Sequence, residues 1–310
     1  MASEAQGSKA RLYVKDGAGV AAWDSGTIKS YPFYRESMRK IASVVHPQVI
    51  TGDRDEHAER ARSGPNLYYG TVTFGVSPGE LAFWAPYWLG GTPSGTSYPL
   101  GNTLSPFALY IDKVTTKYAW YNCYVDKALV VGSQNGPGGA PNFLTLQLTI
   151  YALSYISTPA TTASADIPTI SGEFVPMVFE DATSAITIKG SARETKQLAI
   201  LHENFLKQRY VNSLEPSITY PLHRRLTLNV RHPFDTGTSA LDDVALSASA
   251  AGSIGFTNGS VSATWNLTML QLVSQTPVVP GKVEVDLSST YVSRASGSTA
   301  SYSMTIDSTV

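Results

Sequence analysis

The residues of this chain that could do chemistry do not converge on a reaction. Five histidines stand at His46, His57, His202, His223 and His232. None is paired at metal-ligand spacing with a cysteine or with a second histidine on a helix. The run DRDEHAER at 53–60 offers carboxylate oxygens but lacks the glycine and closing glutamate of a calcium loop. It reads as a solvated or partner-facing charged run. No G-x-S-x-G elbow is expected in the chain. NGPGGAP at 135–141 is rich in glycine but has no Lys-Ser/Thr to hold a phosphate, so it reads as a turn. Cys123 is the one cysteine. It cannot form an internal disulfide and, in the strand-like run YAWYNCYV, it reads as a small core residue. Trp84, Tyr87 and Trp88 could stack on a sugar or a base, but at helical spacing they read first as core. The expectation is a protein that is not an enzyme and takes no cofactor or metal.

The elements that would position such residues are strands. Segments 72–76 (VTFGV), 144–149 (LTLQLT), 226–230 (LTLNV) and 283–288 (VEVDLS) alternate apolar and polar residues, the period of a strand with one face buried. Val72, Phe74, Val76, Leu144, Leu146, Leu148, Leu226, Leu228, Val230, Val283, Val285 and Leu287 would face a core. Thr73, Thr145, Gln147, Thr149, Thr227, Asn229, Glu284 and Asp286 would form the opposite, polar face. That face has no Lys or Arg at strand centres, although Arg225 and Arg231 flank one strand and call for acids of a neighbour. A short helix is expected in SPGELAFWAPYWLGG, capped by Ser77, with Pro78 first and Gly90–Gly91 ending it. TNGS at 257–260 signals a tight hairpin.

The order of elements repeats. Each half has strands and a charged excursion, at 33–67 and 191–221, and loops of that length usually serve function or a partner. The polar stretch 157–169 reads as a linker. The expected fold is all-β: two tandem β-sandwich domains, 1–160 and 161–310, each with a short helix and a long excursion. Hydrophobic residues make up 43% of the 310, enough for a core, while charged residues are only 15%. A formal net charge of −1 gives no global basic field for nucleic acid. No segment approaches ~18 consecutive apolar residues, and the first residues have no apolar export stretch, so no membrane role is expected.

The string VVHPQVITGDRDEHAERARSGPNLYYGTVTFGVSPGELAFWAPYWLGG resembles the first half of siphophage tail tube proteins with a duplicated tube domain. Gly52–Arg54, Gly64, Gly70–Phe74, Glu80–Leu81 and Leu89–Gly90 carry the match. AITIKG, with LAILHENFLKQRYVNSLEPSITYPLHRRLTLNV after it, resembles the second copy, so the likeness spans roughly residues 33–290. The resemblance implies a virion tail protein, made in a host cytoplasm, whose rings stack into a hollow tube. Each domain would give strands to a barrel around the channel, and three chains would form a pseudo-sixfold ring. Partners would be further copies of the chain, other tail proteins, and the tape measure protein and genomic DNA in passage. The excursions would reach neighbours, with Asp53, Arg54, Asp55, Glu56, Glu59, Arg60, Arg193, Glu194, Lys207 and Arg209 as intersubunit candidates. The polar strand residues would line the channel, where a neutral or acidic wall lets DNA slide. Two other readings stay open: a decoration or capsid-associated virion protein, and a carbohydrate-binding or carbohydrate-active sandwich using Trp84 and Trp88.

Overall fold

A computed structural model describes residues 10–17, 28–45, 61–114, 116–134, 142–157, 176–181, 186–233, 249–278 and 285–308. In the first half these form β1 (Arg11–Asp16), β2 (Ile28–Tyr31), β3 (Arg35–Glu36), β4 (Arg39–Val45), β5 (Arg62–Gly75), α1 (Pro78–Leu89), β6 (Ser97–Tyr98), β7 (Phe107–Asp112), β8 (Lys117–Ser133), β9 (Thr145–Ala152) and β10 (Ser154–Ser157). In the second half they form β11 (Thr187–Ile188), β12 (Ser191–Ala192), β13 (Gln197–Glu203), β14 (Leu206–Arg209), β15 (Ile218–Pro221), β16 (Arg225–Pro233), β17 (Ala250–Asn258), β18 (Val261–Val278), β19 (Asp286–Ser293) and β20 (Tyr302–Asp307). The all-β expectation holds.

The expected repeat is visible strand by strand. In the first half β4 pairs with β5, β5 with β9 and β9 with β8. In the second, β13 pairs with β16, β16 with β19 and β19 with β18. The front parts of the long strands β8 and β18 leave this layer and enter a second one. There β8 pairs with β7 and β10, and β18 pairs with β17 and β20. Even the outermost strands match, with β2–β1 on β7 and β12–β11 on β17. All of these pairings are antiparallel, so the sheet can bury one face and leave the other wet.

The halves are not separate in the sheet. β13 pairs with the rear of β8, from Gln197 opposite Ser133 to Glu203 opposite Lys127. This joins two four-strand units into the continuous order β4-β5-β9-β8-β13-β16-β19-β18. One hydrophobic cluster likewise contains Phe74, Trp84 and Leu146 together with Leu228, Trp265 and Met304. The expected linker 157–169 lies almost wholly outside the described residues.

Two expectations are corrected. The second excursion, 191–221, is not a loop. It contains β13, whose alternation of Leu198, Ile200 and His202 toward the core is masked in sequence by apolar Ala199 and Leu201 between them. The first excursion likewise holds β3, β4 and the start of β5 at its two ends, with 46–60 outside the described residues. β16 also runs on past the alternating segment 226–230 as far as Pro233, which stands opposite Asp286.

α1 forms as its caps dictate. Ser77 has extended backbone, and its hydroxyl accepts from Glu80 N–H at 3.2 Å. Gly90 ends the helix at φ 76°, and a Cβ there would also meet Thr103 O at 2.4 Å, so only glycine fits. The helix packs on β8, β18 and β20, so it bridges both halves. The segment equivalent to α1 in the second half, after β16, begins at 234 and lies outside the described residues. The tight hairpin at Asn258 is present, with Gly259 at φ 63° between β17 and β18.

Candidate functional site

The strand parity places the polar residues singled out above on one face of the continuous sheet. Opposed pairs run Thr73–Gln147, Gln147–Leu129, Leu129–Leu201, Leu201–Thr227 and Thr227–Val292 across six strands. A parallel row runs Thr145–Val131–Ala199–Asn229–Thr290. Thr149 stands on the same face opposite Lys127. Both central rows are uncharged. Val72, Phe74, Leu144, Leu146, Leu148, Leu226, Leu228, Val230 and Leu287 face the core as expected, all at most 3% exposed. Val283, Glu284 and Val285 are not part of this placement, because 283 and 284 lie outside the described residues and Val285 precedes β19.

Charge gathers at the two ends of this face, in two clusters of the same design. At one end the Glu203 carboxylate accepts from Lys127 Nζ and Arg225 Nη2, each at 2.8 Å. At the other, Asp286 accepts from Lys196 Nζ at 2.8 Å and Arg231 Nε at 2.8 Å. Each is one buried acid between two half-exposed cations, so each cluster carries a net positive charge. Burial pushes both carboxyls up, but the hydrogen bonds from the flanking cations outweigh it and hold Glu203 and Asp286 below the ordinary carboxylate range. Two expectations change here. Arg225 and Arg231 find their acids within the chain rather than on a neighbour. Asp286 is on the expected face but is 5% exposed, because two cations cover it. With Arg39 against the Tyr69 ring and hydroxyl at the far edge, the charged ends of the described face are more basic than expected.

The joint between the halves is fastened by a buried polar chain. Asn204 Nδ2 donates to Trp88 O at 3.1 Å and Val125 O at 3.0 Å, so its Oδ1 is turned to His202 Nε2, 2.9 Å away. That oxygen can only accept, so Nε2 carries the proton and Nδ1 accepts from Tyr302 Oη at 2.6 Å. Burial drives the His202 pKa down to about 4, keeping the ring neutral.

Beyond the joint, β14 and β15 form a hairpin laid over the first half. Leu206 N–H donates to Asp126 Oδ1 at 2.7 Å, Gln208 Nε2 to Ala152 O at 2.9 Å, and Tyr210 Oη to Asn66 O at 2.8 Å. Of the intersubunit candidates, Lys207 and Arg209 stand exposed on β14, and Arg193 and Glu194 lie just before β13, half-buried and exposed. Asp53, Arg54, Asp55, Glu56, Glu59 and Arg60 lie outside the described residues.

The two ends of the eight-strand order are open. Among the described residues, β4 pairs with no strand but β5, and β18 beyond Leu270 pairs with no strand but β19. Large apolar side chains are exposed along both: Val44 at 61%, Val45 at 54% and Val273 at 54%.

The chemical candidates close down. Gly75–Gly79 spells G-x-S-x-G at a strand-to-helix turn, a pattern the sequence reading overlooked. Ser77 there is 2% exposed and serves as the helix cap, so it is no nucleophile. Trp84 and Trp88 are buried and cannot form a sugar platform, and Cys123 is buried and unpaired. Among the described residues no group of three or more His, Cys, Asp or Glu could hold a metal, and no helix is long and apolar enough to cross a membrane.

No protein-family model matches the chain, and no curated protein matches it. Among solved structures, it resembles a chain of an extracellular contractile injection system, determined by cryo-EM as a PVC sheath-tube complex in the extended state. The identity is 13%, the match covers 48% of this chain and 89% of that one, and the TM-score is 0.30. A likeness at that level supports no argument about function.

Proposed function

We propose that this chain is a structural subunit that closes with copies of itself into a ring, and that the ring is a building block of a bacteriophage tail tube. The observation that carries this reading is the β8–β13 joint. The chain contains two copies of one four-strand unit, and within the chain the last strand of the first unit pairs with the first strand of the second. The same two edges are left open at the ends, on β18 and β4. An exposed strand edge is a template for another chain, and closure removes it. Repeating the internal joint between copies gives a head-to-tail contact, which closes as a ring.

With eight strands per chain, three chains would make a barrel of roughly 24 strands, well above the size that leaves an aqueous channel in natural barrels. The polar face described above would then line the channel and the apolar face would pack on the outer layer and α1. Two uncharged rows of Thr, Gln, Asn and small apolar side chains would present little for a phosphate backbone to hold. The resemblance of the sequence to duplicated tail tube proteins supports the same assembly, with the tape measure protein and DNA as transient occupants.

Negative-stain electron microscopy of the purified chain at rising concentration tests it. Rings or hollow tubes are expected. Compact single chains at every concentration, with or without an assembly initiator, would overturn it.

A further inference from the structure

A second consequence of the repeat rests on the assembly reading but concerns a different contact. The β14–β15 hairpin occupies a seat on the first half made by three positions, Asp126, Ala152 and Asn66. Each has a counterpart in the second half. Asp126 is the bulged residue of β8 between Val125 and Lys127, and Val273 is the bulged residue of β18 between Leu272 and Ser274. Ala152 opposes Tyr68 on β5, and Ser293 opposes Leu226 on β16. Two residues before Tyr68 stands Asn66, and two before Leu226 stands Arg224.

Val273, Ser293 and Arg224 all line one cleft of about 820 Å³. The cleft is therefore the second half's version of the hairpin seat, at the open edge of β18, and no described segment of this chain fills it as the hairpin fills the first. We propose that it is a socket for the β4–β5 arm of a second copy, the arm that follows β4 as the hairpin follows β13.

Both partners carry matching chemistry. The socket adds Arg225, Arg294 and Val292 to its lining. Arg224 donates to Gly101 O and Asn102 Oδ1, Arg225 to Glu203, and Arg294 Nε to Gln271. A guanidinium has five donors, so each retains N–H groups for a further acceptor. The arm brings exposed Val44 and Val45, and the sequence after them holds four acids, Asp53, Asp55, Glu56 and Glu59, to two arginines, Arg54 and Arg60. The first seat shows the same polarity on a smaller scale, since Asn66, the counterpart of Arg224, donates to the hairpin's Glu215 at 2.7 Å. Register fixes one contact. Ile41 opposes Leu67 as Glu203 opposes Arg225, so Val44 stands where Leu206 stands, beside the bulge.

The test is cross-linking between copies. Cys123 is fully buried and stays silent. Val44→Cys and Val273→Cys chains, purified separately, mixed and assembled under mild oxidation, should give a reducible disulfide-linked dimer in high yield. Val211→Cys, equally exposed on the hairpin, mixed with Val44→Cys should give at least tenfold less. An Arg224→Glu/Arg294→Glu chain should assemble at least tenfold more weakly, and a partner carrying Asp55→Lys/Glu56→Lys should restore it. Rings or tubes that form without the Val44–Val273 cross-link would overturn the socket and leave the ring standing. A chain that never assembles would overturn both.

Discussion

Asp126 and Val273 are the same position in two copies of one sheet. Each is the residue bulged out of the pairing in the polar-faced layer, on β8 against β9 and on β18 against β19. The acid at the first accepts from Leu206 N–H within the chain, and the valine at the second is left 54% exposed. The pair measures how far the duplicated units differ: where the chain completes itself, the position is polar and satisfied; where it ends, the position is apolar and open.

The first prediction concerns the satisfied copy. Asp126→Ala leaves the Leu206 amide without its acceptor and should cost about 1–3 kcal/mol in chemical denaturation. Amides of the β14–β15 hairpin should exchange faster while those of β16 do not. Equal protection in the variant would show that the bulge does not hold the hairpin.

The second concerns the acid at the joint. Glu203→Gln would set Lys127 and Arg225 against each other with no carboxylate between them, and should cost on the order of 1–3 kcal/mol at neutral pH. Because the Glu203 pKa is held low, its contribution is present above the unfolded value near 4.5 and fades as pH falls. The variant and parent should therefore draw together in stability as pH falls below the unfolded value near 4.5, read by thermal melts across pH.

The third concerns the buried imidazole. His202 takes up a proton near pH 6.5 when unfolded but only near 4 when folded. Stability is full above about pH 6.5, falls as pH drops, and the loss from this group is complete near pH 4, amounting to roughly 3 kcal/mol. His202→Gln should flatten the melting-temperature profile between pH 4 and 6.5. An unchanged slope would place the acid sensitivity elsewhere.

The fourth concerns α1. Glu80 is 4% exposed, and burial raises its pKa to about 8, with the Ser77 hydroxyl opposing only in part. Its carboxyl stays protonated in the fold while the unfolded chain ionises near 4.5, so its contribution is complete below 4.5 and is lost as pH rises toward 8. Glu80→Gln, which mimics the protonated acid, should raise the melting temperature at pH 8 by several degrees and leave it nearly unchanged at pH 4.5.

Much of the fold was legible because alternation is a local signal. Val72 and Phe74, Leu146 and Leu148, and Leu226 and Leu228 announce their buried faces in five or six residues, and Ser77, Pro78 and Gly90 announce the helix. β13 was not legible, because QLAILHE mixes apolar residues on both faces and sits among charges. It is the strand that joins the halves, so the joint was invisible with it. The ion clusters were hidden for a different reason. Glu203 meets Lys127 and Arg225 only through pairing across three strands, and Asp286 meets Lys196 only across 90 residues of chain. The polar face was predicted by parity, whereas the cover over Asp286 depended on neighbours that parity does not name.

Amide hydrogen exchange on the assembled and the dissociated chain tests the central claim most directly. If copies meet as β8 and β13 meet, amides of Arg39–Val45 and of β18 from Leu272 to Val278 should become strongly protected on assembly, while the already paired β9 and β16 change little. Assembled particles in which those two edges exchange as fast as in the single chain would contradict it.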